Sequence, residues 1–266
     1  MSEKAFSFYG VSTPVLILLL FAGMLVVLKI GAIIGDKLRN KVDEKNASIN
    51  TTIVGSVLAL FAFLLGFTFS MSASLYDVRR TNNITEANSI STALSRVDLY
   101  PVPERAYFRS DFKDYTISRI SYFQAGSDME TMKKAEKNAQ DYASRIWKRA
   151  SVDAVNTESL FPANLMIPAL NEMMDNANSN NYGEKFKVPD PIIFLLLAIS
   201  LVSAFFVGYY TVNKDKFNAL MNIGFCVLSC VVIFITLDLG SSRTGFIKHP
   251  TSLEALNDVL RQFDHP

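Results

Sequence analysis

Few side chains in this chain could make or break bonds, and their placement argues against it. The two histidines, His249 and His265, stand near the C-terminal end; the two cysteines, Cys226 and Cys230, sit one helical turn apart inside an apolar block. No Cys/His ligand spacing, nucleophile elbow or glycine-rich phosphate loop accompanies them. No catalytic residue, metal or cofactor is therefore expected, and the chain is not read as an enzyme. The cysteines are read as small packing residues, and His249, beside Pro250, as a loop or helix-entry residue. What remains is the chemistry of ions. A charge-free apolar stretch, 52–75, carries serines and phenylalanines at helical spacing, and Asp77, Arg79, Arg80 and Glu86 follow it at once.

Placed at about 100° per residue, Thr52, Ser56, Ala59, Phe63, Phe67, Ser70, Ser74 and Asp77 fall within a sector about 80° wide. Thr81, Ile84, Asn88 and Ser95 continue the line. The face is small and polar at both ends with two phenylalanines between, as a water-filled path with a dewetting constriction requires. Copies around an axis would close that path. The same residues also suit plain helix packing, since serines and glycines such as Gly55 and Gly66 let helices approach; periodicity leaves both readings open, and Thr68 and Ser72 lie off the face. Asp77, Arg79, Arg80 and Glu86 stand where a pore mouth would be, although a solvated pair such as Asp77 with Arg80 is worth only a few tenths of a kcal/mol. Asp77 lies nearer the centre of the face than Arg80, which favours cations.

The elements that must position these residues are read from hydropathy. Half of the 266 residues are apolar and 19% are charged, yet the apolar ones gather in four blocks of around 20, each long enough to cross about 30 Å of hydrocarbon. The expected organisation is 1–51 (N-terminal segment, first span and short loop), 52–99 (second span continuing as a long helix outside the membrane), 100–188 (helical extramembrane domain and polar linker), 189–240 (third and fourth spans) and 241–266 (C-terminal tail). The first block is too long for a signal-peptide core and no small-residue cleavage site follows it. Lys29, near its end, can snorkel. Four spans put both termini and the middle section on one side of the lipid bilayer. Charge does not say which: Lys37, Arg39, Lys41, Lys45, Lys214 and Lys216 on one side meet Lys4, Arg79, Arg80, Lys185, Lys187, Arg243 and Lys248 on the other. A net charge of +1 gives no reason to expect nucleic acid.

The middle section reads as helix throughout. Tyr100-Pro101-Val102-Pro103 breaks one helix and restarts another, Gly126-Ser127-Asp128 ends that one and caps a third over 129–149 anchored by Trp147, and a fourth over 160–174 trails into a polar linker at 175–181. Asp238, at the end of the fourth span, needs a partner at such depth. Arg243 is the nearest by sequence, and anchoring of the tail is its expected role.

Phe63-Leu64-Leu65-Gly66-Phe67, followed by Ser70, Tyr76-Asp77, Arg79-Arg80, Glu86-Ala87-Asn88, Asp98-Leu99-Tyr100-Pro101, Leu237-Asp238-Leu239 and Gly245-Phe246-Ile247, resembles the bestrophin-like membrane proteins of bacteria. These are distant relatives of the true bestrophins, which are pentameric ion channels with four spans per subunit, cytosolic termini and a helical cytosolic part. The resemblance implies an all-α fold of that kind, a homo-oligomer (a pentamer) of the chain with itself, small inorganic ions as the cargo and a bacterial inner membrane as the location. It also implies Phe63 and Phe67 as the pore neck, with Ala59 one turn earlier where a larger aliphatic is usual; Thr52, Ser56, Ser70 and Ser74 would line the wall, and Asp77, Arg80, Thr81 and Asn88 the mouth. The tryptophan pair that follows the neck in many true bestrophins is absent here, as is the calcium-binding acidic cluster of the animal ones, so no calcium regulation is expected. Selectivity does not carry over, because the wider group includes anion and cation conductors. The alternative is a non-conducting membrane scaffold or sensor whose extramembrane helices bind a partner.

Overall fold

The computed structural model describes residues 12–38, 44–153, 160–211, 216–241, 245 and 250–264, and all regular structure among them is helical. Among the described residues the α-helices are, in order, α1 (Thr13–Leu38), α2 (Glu44–Arg96), α3 (Val102–Gln124), α4 (Met129–Asp153), α5 (Leu160–Gly183), α6 (Asp190–Tyr210), α7 (Lys216–Gly240) and α8 (Pro250–Arg261), with a 3-10 turn at Val97–Leu99. Four of them, α1, α2, α6 and α7, are long and apolar enough to span a membrane.

Local chemistry explains where helices start and stop. Pro101 stands just before α3 with an extended backbone, Pro103 and Glu104 occupy the first turn, and Arg105 Nε donates to the Tyr100 carbonyl at 2.5 Å. Gly126 takes a positive φ of 56°, which no other residue type tolerates as cheaply. Asp128 then caps α4, its Oδ1 accepting from the backbone N–H of Glu130 and Thr131 at 3.0 and 3.2 Å and its Oδ2 from the Thr131 hydroxyl at 2.6 Å. Those bonds hold the Asp128 carboxyl below its ordinary value, the Thr131 hydroxyl contributing most. Pro189 and Pro191 open α6 in the same manner as the α3 entry.

Two differences from the sequence reading stand out. The second helix begins at Glu44 and not at Thr52. The polar run 175–181 is no linker: α5 continues through it to Gly183, because Asn180 and Asn181 are buried and hydrogen-bonded. Within α5, Pro168 removes an N–H from the ladder, and the Leu165 carbonyl accepts from Arg96 Nη1.

The chain forms two compact units, 1–75 with 187–241, and 76–186 with 242–266, so α2 contributes residues to both. The core of the first unit joins Leu20 and Met24 of α1, Phe61 of α2, Ile193 and Leu196 of α6, and Cys226, Cys230 and Ile233 of α7. Both cysteines are free and buried, with Cys230 Sγ 3.8 Å from Met24 Sδ, which is the packing role expected of them. Glycines set the spacing of α1 and α6. A methyl built on Gly208 would overlap the carbonyl oxygen of Leu28, and methyls on Gly31 and Gly35 would overlap those of Phe205 and Tyr209. The core of the second unit gathers Ile90 and Leu94 of α2, Phe108 and Phe112 of α3, Ile146 of α4, Met166 and Leu170 of α5, and Leu256 and Val259 of α8. The tail is thus a docked amphipathic helix, with Ser91 and Gln262 bonded at 3.0 to 3.1 Å.

Candidate pore face and the buried charge network

In the membrane unit, α2 turns one side toward its neighbours. Phe61 is 4% exposed and packs edge-on to Phe225 of α7, Thr68 and Ser72 farther along the same side are buried, and Leu64, Leu65, Met71 and Leu75 pack on the same core. At about 100° per residue this side is centred opposite the stripe of Thr52, Ser56, Ala59, Phe63, Phe67, Ser70 and Ser74, and all seven of those residues are exposed. Phe63 and Phe67 are 67% and 54% exposed and stack on each other with ring centroids 6.5 Å apart. Ser56 folds its hydroxyl back onto the Thr52 carbonyl at 3.0 Å, and off the stripe Thr68 does the same to Leu64 at 2.7 Å. Among the described residues the stripe is therefore not used for packing within the subunit. Within the subunit, a methyl on Gly55 or Gly66 would meet nothing within 4 Å among the described residues.

In the second unit the candidate mouth residues divide. Asp77, Thr81 and Asn88 are exposed on the continuation of the stripe, and Arg80 is exposed to one side of it. Arg79 and Glu86 are not at a mouth, which corrects the sequence reading: both are fully buried, because they lie on the opposite side of the helix. Arg79 Nη2 donates to the Phe186 carbonyl at 2.7 Å. Glu86 is clamped by Arg119 of α3, its Oε1 accepting from Nε and its Oε2 from Nη2 at 2.9 Å.

Around that pair the amides of α5 add further hydrogen bonds. Asn180 Nδ2 donates to Glu86 Oε2 at 2.7 Å and to Asn83 Oδ1 at 2.6 Å, Arg119 Nη1 donates to Asn181 Oδ1 at 3.0 Å, and Asn181 Nδ2 donates to Glu136 Oε1 at 3.2 Å. The Arg119 guanidinium also lies 4.7 Å from the Tyr122 ring centroid and 5.3 Å from that of Phe123. Burial alone would favour a neutral Arg119, but the charge and hydrogen bonds of Glu86 outweigh it and raise its pKa. Nothing in the spacing of Glu86, Arg119 and Asn180 announces this network, since its members are 33 to 94 residues apart.

Beside the network Tyr115 is buried, and burial holds its phenol protonated above its ordinary value near 10; the Arg119 charge opposes this and that of Glu86 adds to it. An acid protonated more firmly in the folded state contributes stability that is complete below the unfolded pKa and lost as pH rises through the folded one. The melting temperature is thus expected to fall as pH rises past about 10, and to fall less steeply in Tyr115→Phe. Identical alkaline slopes for the two proteins would refute the assignment.

Asp238 is buried near the end of α7, and its carbonyl accepts from the Ser241 N–H at 3.0 Å. Its suggested partner Arg243 lies outside the described residues, as do His249 and His265. Among the described residues no group of His, Cys, Asp and Glu could hold a metal ion.

These features define an all-α, multi-pass membrane protein with a helical second unit. Two known crystal structures share the fold. One is a bacterial bestrophin homologue from Klebsiella pneumoniae bearing a mutation, with a TM-score of 0.67 at 12% identity over 92% of this chain and 98% of that one. The other is a membrane protein with a TM-score of 0.65 at 12% identity, over 90% of this chain and 95% of that one. The fold is bestrophin-like, as the Phe63–Phe67 region and the four spans led one to expect. No family model matches the sequence, and no curated protein matches it either.

Proposed function

We propose that the chain is a subunit of a homo-oligomeric, pentameric ion channel with the α2 stripe facing the shared axis. Phe63 and Phe67, with Ala59, form its hydrophobic neck; Thr52, Ser56, Ser70 and Ser74 form the wall, and Asp77, Arg80, Thr81 and Asn88 the mouth. The observation that carries this reading is the division of α2 into a side packed on its own subunit and an opposite, polar–aromatic–polar side that is left unpacked. A purely lipid-facing side has no use for Ser56, Ser70, Ser74 and Asp77 in register. The membrane is the bacterial inner membrane, with the termini and the second unit in the cytosol, and the protein is a conductor of small inorganic ions and not an enzyme.

Purified protein in planar bilayers is expected to pass current, and the double variant Phe63→Ala, Phe67→Ala to pass several-fold more, because smaller, less apolar neck residues lower the barrier to wetting. Silence of both proteins across voltage, pH and salt would sink the channel reading. It would leave the non-conducting scaffold, which draws on the exposed Val102, Tyr107 and Phe161 of the second unit as partner contacts.

A further inference from the structure

The second unit contains a cleft of about 150 Å³ among α3, α4 and α5 that the channel reading does not use. Its size follows from the sequence. Three of the α4 and α5 positions that line it are alanines, Ala139, Ala143 and Ala177, where larger residues would narrow the gap. A space of this volume holds a body about the size of benzene. Met174 and the Tyr115 ring add apolar and aromatic surface.

The charge in the lining is unequal. Arg119 lines the cleft, but Glu86 neutralises it, and its Nε, Nη1 and Nη2 are each engaged by Glu86 or Asn181. Glu136, half-buried at the edge, has one hydrogen bond among the described residues, from Asn181 Nδ2 to its Oε1. Its charge is the one left uncancelled in the lining. A single carboxylate is too few donors for a divalent metal, and an anion would meet Glu136 with no free cation to offset it.

We infer that the cleft binds a small organic cation, a primary ammonium on an apolar body no larger than a benzene ring, with the ammonium donating to Glu136 and the body resting on Ala139, Ala143 and Ala177. The inference does not depend on conduction. The full-length protein in detergent, followed by Trp147 fluorescence during heating, provides the test, because Trp147 packs against the core of the same unit. Benzylamine is expected to raise the melting temperature in a saturable, concentration-dependent manner. Benzyl alcohol and benzoate, at equal concentration and ionic strength, are expected not to.

Glu136→Gln keeps the shape and removes the charge, and should weaken the apparent benzylamine affinity about tenfold, the loss of one charge-assisted hydrogen bond. Ala143→Met should fill the cleft and abolish the response. If that variant melts early, Glu136→Gln still decides. Equal protection by benzyl alcohol, or an undiminished benzylamine response in Glu136→Gln, overturns the inference.

Discussion

Arg119→Ala is expected to destabilise the second unit by about 3–5 kcal/mol, the usual consequence of removing one partner of a buried ion pair. Arg119 and Glu86 are both fully buried, so solvent cannot take over the abandoned carboxylate. The loss reaches further than the pair. Asn181 Oδ1 would lose its donor, and Asn180 Nδ2 would become the main remaining donor to Glu86 Oε2. Glu86→Gln should be milder, since an amide oxygen can still accept one of the two Arg119 bonds, although the guanidinium keeps its charge without a counter-charge and meets an amide NH2 where its second acceptor stood. A paired replacement, Glu86→Leu with Arg119→Met, removes both charges together and should recover much of the loss. It should not recover all of it, because Asn180, Asn83 and Asn181 would then face apolar atoms. Chemical denaturation followed by Trp147 fluorescence would rank the variants. An Arg119→Ala variant no less stable than the paired replacement would mean that Glu86 and Arg119 are not paired in the buried interior as described.

How much of this was legible in the sequence depended on whether the signal was local. The four spans were, because hydropathy over about 20 residues is read from consecutive positions. So were the breaks at Pro101 and Pro103, the turn at Gly126 and the Asp128 cap, each set by the chemistry of one or two residues. The stripe of α2 was also legible, as simple periodicity places Phe63 and Phe67 opposite Phe61. The same arithmetic places Arg79 and Glu86 on the buried side, yet their charge suggested solvent. Charge was the weaker guide there, for Arg119 lies far along the chain and its contribution cannot be seen from position 86. The amide run at 175–181 misled for a related reason. Asparagines next to one another usually mark a turn, but here two of them are the hydrogen-bonding lining of a buried ion pair.

The glycines of α1 carried a signal of a different kind. Gly31 and Gly35 are four residues apart, the spacing at which two spans can meet backbone to backbone. Their role gives the other large expected effect. Gly208→Ala should force α1 and α6 apart, since the added methyl would occupy the position of the Leu28 carbonyl oxygen, a backbone atom that cannot swing aside. Gly31→Ala should do the same against Phe205, and the two should be less than additive because one displacement relieves both. Overpacking of this kind costs roughly 1–3 kcal/mol, and the rigidity of the obstructing atoms places these variants at the upper end. Gly66→Ala is the contrast: open space surrounds it within the subunit, so subunit folding should be unchanged. Denaturation in mixed micelles would separate them. Equal stability of Gly208→Ala and Gly66→Ala would show that α1 and α6 do not lie as close as their glycines require, and that the membrane core is held chiefly by the larger side chains around Met24 and Cys230.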